Sequence, residues 1–354
     1  MRRLPLAVLL LVLVGLLASS RGRRAAADTR PDYVRNYYHP PFPHAPPYPR
    51  DEQMATPPWL YYRADGARQP DRVVHIVLPQ QADPTVQNFL NRNVAMFDRS
   101  ASRGELLVYL PGTGGNALEA GLFLSAAADA GYHVIGLQYN TLPPGTAFCE
   151  TAHDPDCFAR FREKRSWGDD ATGAISDLPQ EAIVTRLVRL LETLAQDHPA
   201  EEWQQYLVNG TPNWPVIALT GQSQGAGMAA FIAKRVALAR VILSSSPWDH
   251  ASPSGRLAPW LSEASATPPE RWFGVYHGKE HMAGMLARAY AALGVPDRHI
   301  RVLDIVPNPP PPPHPVVDRY HGTEWGATVP VDAGWRPTVT AIWAFMLGHG
   351  APGG

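Results

Sequence analysis

The chain has 354 residues, of which 45% are hydrophobic and 18% are charged, and its formal net charge at pH 7 is −1. This composition is that of a globular protein long enough to bury a large core, and it excludes a disordered or fibrous chain. Because the sequence has neither a basic run nor a stripe of basic and aromatic residues, we expect no nucleic-acid partner.

The first 27 residues have the pattern of a secretory signal peptide. Arg2 and Arg3 precede an apolar run over residues 4–18, and three alanines at 25–27 offer a cleavage site after Ala27. An uncleaved membrane anchor is the alternative, but the apolar run is shorter than the about 20 residues that a spanning helix needs. We therefore expect an exported protein, periplasmic or extracellular, with no stable membrane span after cleavage.

The rest of the chain divides into an arm and one domain. Residues 28–60 are rich in Pro, Tyr and Arg, which predicts an extended arm. Over residues 61–350, strand patterns alternate with helix patterns, which predicts one α/β domain with a mostly parallel central sheet and helices on both faces. Strands are predicted at 73–78, 105–110, 132–139, 216–220, 241–244, 272–276 and 300–306. Helices are predicted at 117–130, from Asp177 onward with an apolar face of Ile183, Leu187, Leu190, Leu191 and Leu194, at 226–238 and at 338–347.

Residues 140–176 show no regular hydrophobic periodicity and contain the only two cysteines of the chain, which predicts a small insertion above the sheet. In an exported protein, an even pair such as Cys149 and Cys157 is best interpreted as a disulfide. His153, Asp154 and Asp156 lie between the two cysteines, so a metal site is the alternative. No second cluster of ligands supports a metal, and we predict none.

The stretch at 216–227 carries the strongest functional signal. A β-branched apolar run leads into Gly221-Gln-Ser-Gln-Gly225, and a helix of small residues follows. This is a G-x-S-x-G nucleophile elbow, in which glycines allow the strand and the helix to pass close together. The pattern makes Ser223 the candidate nucleophile and the backbone N–H of Gln224 a candidate oxyanion donor. A tight turn with an inert serine is the alternative.

A serine nucleophile needs a histidine base that a carboxylate holds, and in this arrangement the acid and then the histidine follow the serine along the chain. Glu280 follows the strand at 272–276 and is the preferred acid; Asp249, after the previous strand, is the alternative. Two histidines follow the last strand. We prefer His314, because a stiff proline-rich loop at 309–313 precedes it, and His321 is the alternative base.

A second oxyanion donor is expected from the loop after the strand at 105–110. This loop reads Pro111-Gly-Thr-Gly-Gly115, and its backbone amides near Thr113 and Gly114 can approach a substrate oxygen without interference from side chains. A phosphate-binding loop is the alternative interpretation. The stretch lacks both the Gly-Lys-Ser/Thr ending of a P-loop and the G-x-G-x-x-G spacing, which disfavours that alternative.

Together these motifs resemble the α/β-hydrolase superfamily, and in particular a poorly characterised bacterial branch of exported serine-hydrolase-like proteins. The resemblance covers about residues 73–348 and depends on a larger set of marks: the 110–115 loop, the cysteine-bearing insertion, Trp203 to Gly210, the elbow, Ser246 to Asp249, and Trp343 to Gly348. It implies Ser223 as nucleophile, a carboxylate at the Glu280 position and a late histidine as base, without a cofactor. Two features depart from the pattern: the acid is Glu where Asp is commoner, and prolines flank His314.

The sequence therefore predicts a secreted serine hydrolase of the esterase or lipase type that acts on small-molecule or lipid carboxylic esters. Aromatic residues such as Trp167, Trp248 and Trp325 could line an acyl pocket. A peptide or polysaccharide ester as substrate stays open, because loops whose shape the sequence does not give determine specificity. The alternative from another class is a non-catalytic exported binding protein on a hydrolase scaffold, in which no histidine reaches Ser223.

Overall fold

The computed structural model describes residues 60, 68–118, 120–251, 254–307, 318, 320–325, 329–330 and 337–348. The predicted signal peptide at 1–27, the predicted arm apart from Leu60, the proline run and His314 lie outside the described residues. The division into signal peptide, arm and one domain over 61–350 accordingly stays a prediction.

Eight strands form a central sheet. Strands lie at Arg72–Val77 (β1), Asn93–Asp98 (β2), Leu106–Leu110 (β3), His133–Gly136 (β4), Leu207–Val208 (β5), Thr211–Pro212 (β6), Ile217–Gln222 (β7), Arg240–Ser244 (β8), His250–Ala251 (β9), Arg256–Leu257 (β10), Trp272–His277 (β11) and Ile300–Leu303 (β12). The order in the sheet is β1-β2-β4-β3-β7-β8-β11-β12, and β5–β6 and β9–β10 form two short separate ladders. From β4 to β12 the pairing is parallel, whereas β2 pairs antiparallel with both β1 and β4. The sheet is therefore mostly parallel, as predicted.

Helices cover both faces of this sheet. They lie at Pro79–Ala82 (α1), Gly121–Asp129 (α2), Thr146–Cys149 (α3), Cys157–Trp167 (α4), Ile183–Asp197 (α5), Gln224–Arg235 (α6), Ala283–Leu293 (α7) and Thr340–Leu347 (α8). The apolar residues of α5, α6 and α7 belong to one buried cluster, and those of α2 and α8 belong to another. The strands between them contribute to both clusters, since Leu106 and Val108 face the first and Leu107 and Tyr109 face the second. A parallel strand that is buried on both sides needs such a continuous apolar sequence.

Several elements differ from the sequence expectation. β2 was not expected, because polar residues bound its short apolar centre, yet all six of its residues are buried. The helix expected from Asp177 begins at Ile183, because Ala182 is extended and Pro179–Glu181 forms a separate 3-10 turn. The five apolar residues predicted for its buried face are all buried. Within the described residues, no helix combines the length and the apolar character needed to cross a membrane.

The insertion is more regular than its sequence indicates. It contains α3 and α4, and the predicted Cys149–Cys157 disulfide, which is confirmed, joins the end of one helix to the start of the other. The pattern of α4 was missed because its charged residues Arg162 and Arg165 are buried with its aromatic ones. A helix that buries arginines has no apolar stripe for a periodicity argument to detect.

Candidate active site

Ser223 lies at the point where the central strand β7 turns into the buried helix α6. Its backbone has φ 52° and ψ −125°, a sparsely populated conformation for a residue with a side chain. Its N–H donates to Ser244 O at 2.9 Å, which ties the turn to the neighbouring strand β8. A Cβ at Gly225 would come within 2.6 Å of Pro111 O, so this glycine lets the helix start directly against the loop after β3. The surrounding contacts hold the strained serine in a fixed position.

Glu280 and His321 lie together, although 41 residues separate them. Glu280 follows β11, and its Oε2 is 3.0 Å from His321 Nδ1. Its Oε1 accepts the backbone N–H of His277 at 2.8 Å and the hydroxyl of Ser245 at 2.6 Å. A carboxylate accepts only, so His321 Nδ1 carries the donated proton and its Nε2 is the acceptor nitrogen. This is the tautomer that a general base requires.

The turn that carries His321 packs against the strand that ends at Ser223. Trp325 Nε1 donates to Gly221 O at 3.3 Å, and a Cβ at Gly322 would lie 3.2 Å from Gln222 Nε2. The residues that follow His321 in this turn therefore lie against β7 just before the serine.

The loop after β3 contacts the other side of the elbow. A Cβ at Gly112 would lie 3.2 Å from Ser223 Cβ, and Thr113 lines the same cleft as Ser223 and Gln224. Gln224 is the first residue of α6, where a backbone N–H has no acceptor within the helix. Amides from a helix N-terminus and from a glycine-rich loop thus approach one serine, an arrangement suited to binding an oxyanion.

The surroundings of His321 raise the pKa of its imidazole. Burial opposes protonation, but the hydrogen bond and the charge of Glu280 outweigh it, with smaller contributions from Glu324 and Asp318, so the pKa of the imidazole is raised above 6.5. A perturbed pKa at a residue hydrogen-bonded to a buried carboxylate is common at functional sites.

A cleft opens beside Ser223. The insertion and the loop after β8 supply most of its lining, which is both apolar and polar: Thr113, Pro144, Gly145, Thr146, Phe158, Phe161, Arg162, Ser223, Gln224, Ser246, Trp248 and Asp249. The ring of Trp248 also lies 5.3 Å from that of His321. Of the three tryptophans named from the sequence, Trp248 lines this cleft. Trp325 is buried in the cluster that includes α2 and α8, and Trp167 packs against the cluster that includes α5, α6 and α7.

Asp249, the alternative acid, has other partners. Its two carboxylate oxygens accept Arg162 Nε and Nη2, both at 2.6 Å, and Trp260 Nε1 donates to it at 3.0 Å. Both side chains of this ion pair are nearly inaccessible to solvent. The pair joins helix α4 of the insertion to the loop after β8, and it leaves Glu280 as the carboxylate that contacts His321. His314 lies outside the described residues, so its position relative to Ser223 is untested.

Sequence reasoning missed three residues beside this site: Ser244, Ser245 and Glu324. The hydroxyl of Ser245 lies between Glu280 and Glu324, and the hydroxyl of Ser244 also contacts Glu324. Burial and the charge of Glu280 raise the pKa of Glu324 to about 7. No sequence pattern marks these residues, because the contacts join the ends of strands that are far apart in the chain.

Among the residues that the structure describes, one group of side chains could offer ligands to a metal: His75, His198 and Glu201. His75 Nε2 lies 2.7 Å from Glu201 Oε2, and the rings of His75 and His198 stack at 3.8 Å with 21° between their planes. The lone pairs of imidazole nitrogens lie in the ring planes, so nearly parallel rings do not converge on one ion. We interpret the group as a hydrogen-bonded stack on the edge strand β1. In the insertion, Asp154 pairs with Arg160.

The structure defines the class of the protein as mixed α/β, with a mostly parallel eight-stranded sheet. No protein-family model matches the chain, and no curated protein matches it. Among solved structures, the chain is similar to the crystal structure of TT1662 from Thermus thermophilus, with 16% sequence identity over 65% of this chain and 87% of that chain and a TM-score of 0.32. A score this low supports no statement about fold or activity.

Proposed function

We propose that this chain is a serine hydrolase of the α/β-hydrolase type that cleaves carboxylic esters through an acyl-enzyme on Ser223. His321 acts as the base and Glu280 as the acid that orients it. The observation that carries the proposal is the 3.0 Å contact between His321 Nδ1 and Glu280 Oε2, made by a turn that packs against the strand ending at Ser223. It favours His321 over His314, the base preferred from the sequence.

The reaction follows from the tautomer of the neutral His321 imidazole. With Nδ1 donating to Glu280, Nε2 takes the proton of Ser223 while Oγ attacks the acyl carbon. The negative charge that develops on the carbonyl oxygen is stabilised by the N–H of Gln224 and by an N–H near Thr113 or Gly114. Collapse of this intermediate expels the alcohol, which takes the proton from Nε2. Water then attacks the acyl-enzyme by the same steps and releases the acid.

The cleft supports a substrate with a modest acyl group. Phe158, Phe161 and Trp248 provide apolar surface beside Ser223, as ligand pockets commonly do. No cofactor is required for the chemistry proposed. The substrate class is a small-molecule or lipid ester, and a peptide or polysaccharide ester is the variant that a substrate screen distinguishes.

Export is part of the same proposal. The Cys149–Cys157 disulfide supports it, because disulfides persist in oxidising compartments. We propose that the signal peptide at 1–27 directs the chain to the periplasm or the extracellular space, and that the mature protein keeps no membrane span.

The test is labelling of the purified mature protein with a fluorophosphonate probe, which reacts only with an activated serine. Wild type is compared with Ser223→Ala, His321→Ala and His314→Ala. Ser254→Ala, at an exposed serine outside the cleft, is the matched control. We expect labelling of wild type, of the His314 variant and of the control, and loss of labelling in the Ser223 and His321 variants.

Other outcomes have definite meanings. Loss of labelling with His314→Ala but not with His321→Ala would assign the base to His314. Absence of labelling in folded wild-type protein would reject the hydrolase proposal and favour the non-catalytic binding protein. Labelling that survives Ser223→Ala would show that another residue is the nucleophile.

A further inference from the structure

Glu324 is a buried carboxyl group that the proposed mechanism does not use. Glu324 is 1% exposed to solvent. Its Oε1 contacts the hydroxyls of Ser244 and Ser245, and within the described part of the chain its buried Oε2 has no hydrogen-bond partner. An ionised carboxylate in such surroundings is costly, because burial of a charge without a cation or several donors is unfavourable.

Ser245 connects this carboxyl group to Glu280. Its Oγ lies 2.6 Å from Glu280 Oε1 and also contacts Glu324 Oε1. Ser245 is fully buried, and its φ of 51° is a strained value for a residue other than glycine. The backbone is thus held in a costly conformation that places one hydroxyl between two carboxyl groups.

The hydrogen-bond donors available to Glu280 and Glu324 indicate which of the two carboxyl groups carries a proton. A serine hydroxyl has one proton and cannot donate to both carboxyl groups. Glu280 already accepts from His277 N–H and from His321 Nδ1, in addition to Ser245. Glu324 has only the two serine hydroxyls as partners among the described residues, and the Ser245 proton is available to Glu280 only if Glu324 carries a proton of its own to donate to Ser245. Its pKa, raised to about 7 by burial and by the charge of Glu280, agrees with this assignment.

We propose that Glu324, in its protonated form, is a positioning residue that holds Glu280 against His321 through Ser245. Glu324 donates to Ser245 Oγ, and Ser245 donates in turn to Glu280 Oε1. Ser244 completes the arrangement by donating to Glu324. This inference rests on the proposed function, because it assigns Glu280 the role of orienting the base.

Ionisation of Glu324 changes this arrangement. The anion no longer donates to Ser245 and competes with Glu280 for its proton, and its charge favours the protonated form of His321. The groups that face Glu324 are Ser244 at the end of β8 and Ser245 just after it, Glu280 after β11, His321 on its own turn and the Tyr290 phenol of α7. We therefore expect Glu324 to shift the pH at which His321 becomes an active base.

The test uses Glu324→Gln and Glu324→Leu in the full mature chain. An amide can donate to Ser245 as the carboxylic acid does, but it cannot ionise. We expect Glu324→Gln to keep the maximal labelling rate within about 3-fold, since it replaces one hydrogen bond with another. The acid limb of its labelling rate against pH should lie at lower pH than that of wild type. Glu324→Leu should lower the rate about 10-fold to 100-fold per folded molecule, the effect expected from losing a hydrogen bond that supports a charged group.

A second measurement tests the coupling between Glu324 and His321 and does not depend on catalysis. Titration of the His321 imidazole by NMR, assigned with His321→Gln, should give a lower pKa in Glu324→Gln than in wild type. Glu181→Gln is the matched control, because Glu181 is equally buried but pairs with Arg186 in another part of the molecule. This control should lower the Tm and leave both the pH profile and the His321 titration unchanged.

The outcomes separate this inference from the proposed function. If wild type labels but both Glu324 variants match its rate and pH profile, Glu324 is only structural and the positioning role is overturned. If wild type does not label, the proposed function fails. In that case an unchanged His321 titration in Glu324→Gln also rejects the coupling, whereas a lowered pKa would support the network without the chemistry.

Discussion

The substitution Glu280→Gln tests which carboxylate orients the base. In the native arrangement, Glu280 Oε1 accepts from His277 N–H and Ser245, and Oε2 accepts from His321 Nδ1. A glutamine would keep the first two bonds with its carbonyl oxygen and turn its NH₂ group toward Nδ1. That nitrogen must then accept, so the imidazole proton moves to Nε2, which can no longer take the proton of Ser223. We expect the rate of fluorophosphonate labelling to fall by about 10³-fold to 10⁴-fold, as kcat does for the wrong histidine tautomer in a Ser-His-Asp triad.

Asp249→Asn is the matched control, because it makes the same change of carboxylate to amide at the alternative acid. Asp249 pairs with the buried Arg162. We expect the variant to lose roughly 3 kcal/mol of unfolding free energy, since a buried charge loses its counter-ion. Its labelling rate per folded molecule should stay within about 10-fold of wild type, because this pair does not contact His321.

The assay is the rate of fluorophosphonate labelling, normalised to the folded fraction from a denaturant titration. A Glu280→Gln protein that labels at the wild-type rate would refute the tautomer argument. If Asp249→Asn loses labelling to the same degree while Glu280→Gln does not, the acid is Asp249 and the contact between Glu280 and His321 has another purpose.

Three further predictions concern the pH profile, the cleft and the insertion. The acid limb of kcat/KM should have its midpoint above 6.5, because the raised pKa keeps His321 protonated and inactive below it; a midpoint below 6.5 would contradict this. Phe158→Ala should raise kcat/KM for longer p-nitrophenyl esters relative to butyrate by roughly 10-fold, about the effect of burying two more CH₂ groups, whereas Phe148→Ala, outside the cleft lining, should not. Replacing Cys149 and Cys157 with serine should cost roughly 2.5 kcal/mol of unfolding free energy for this short loop. It should also raise KM more than it lowers kcat, because the cleft-lining Thr146 and Phe158 lie near the two cysteines; an unchanged KM would show that the insertion does not shape the cleft.

Local sequence determined what could be predicted of this site. The elbow around Ser223 is a contiguous pattern whose glycines, strand and helix all lie within about twelve residues, so one stretch carries the whole signal. Glu280 was predicted as the acid from its place directly after a strand. Parallel strands end at one edge of the sheet, so a residue at that position lies near others of the same kind. The helix at Ala283–Leu293 was missed, although Leu286, Tyr290 and Leu293 have the spacing of a buried helix face.

The choice of base could not be made in this way. His314 and His321 both follow the last strand, and the order of residues along a loop does not give its path. The contacts that position His321 join the turn after it to the centre of the sheet, as in the bond from Trp325 Nε1 to Gly221 O, between residues 104 positions apart. The same limit applies to Asp249, whose partner Arg162 comes from the insertion, 87 positions earlier.

Two serines beside the candidate site share an unusual backbone conformation. Ser223 and Ser245 are both held at positive φ, one at the end of β7 and the other just after β8. Neither conformation is favourable for a serine, so each must be maintained by the tightly packed ends of neighbouring strands. One strained serine presents a hydroxyl to the cleft, and the other presents a hydroxyl to the carboxylate beside His321. In the proposed mechanism, strained serines at this edge of the sheet therefore have two roles: one is the exposed nucleophile, and the other holds the carboxylate that orients the base.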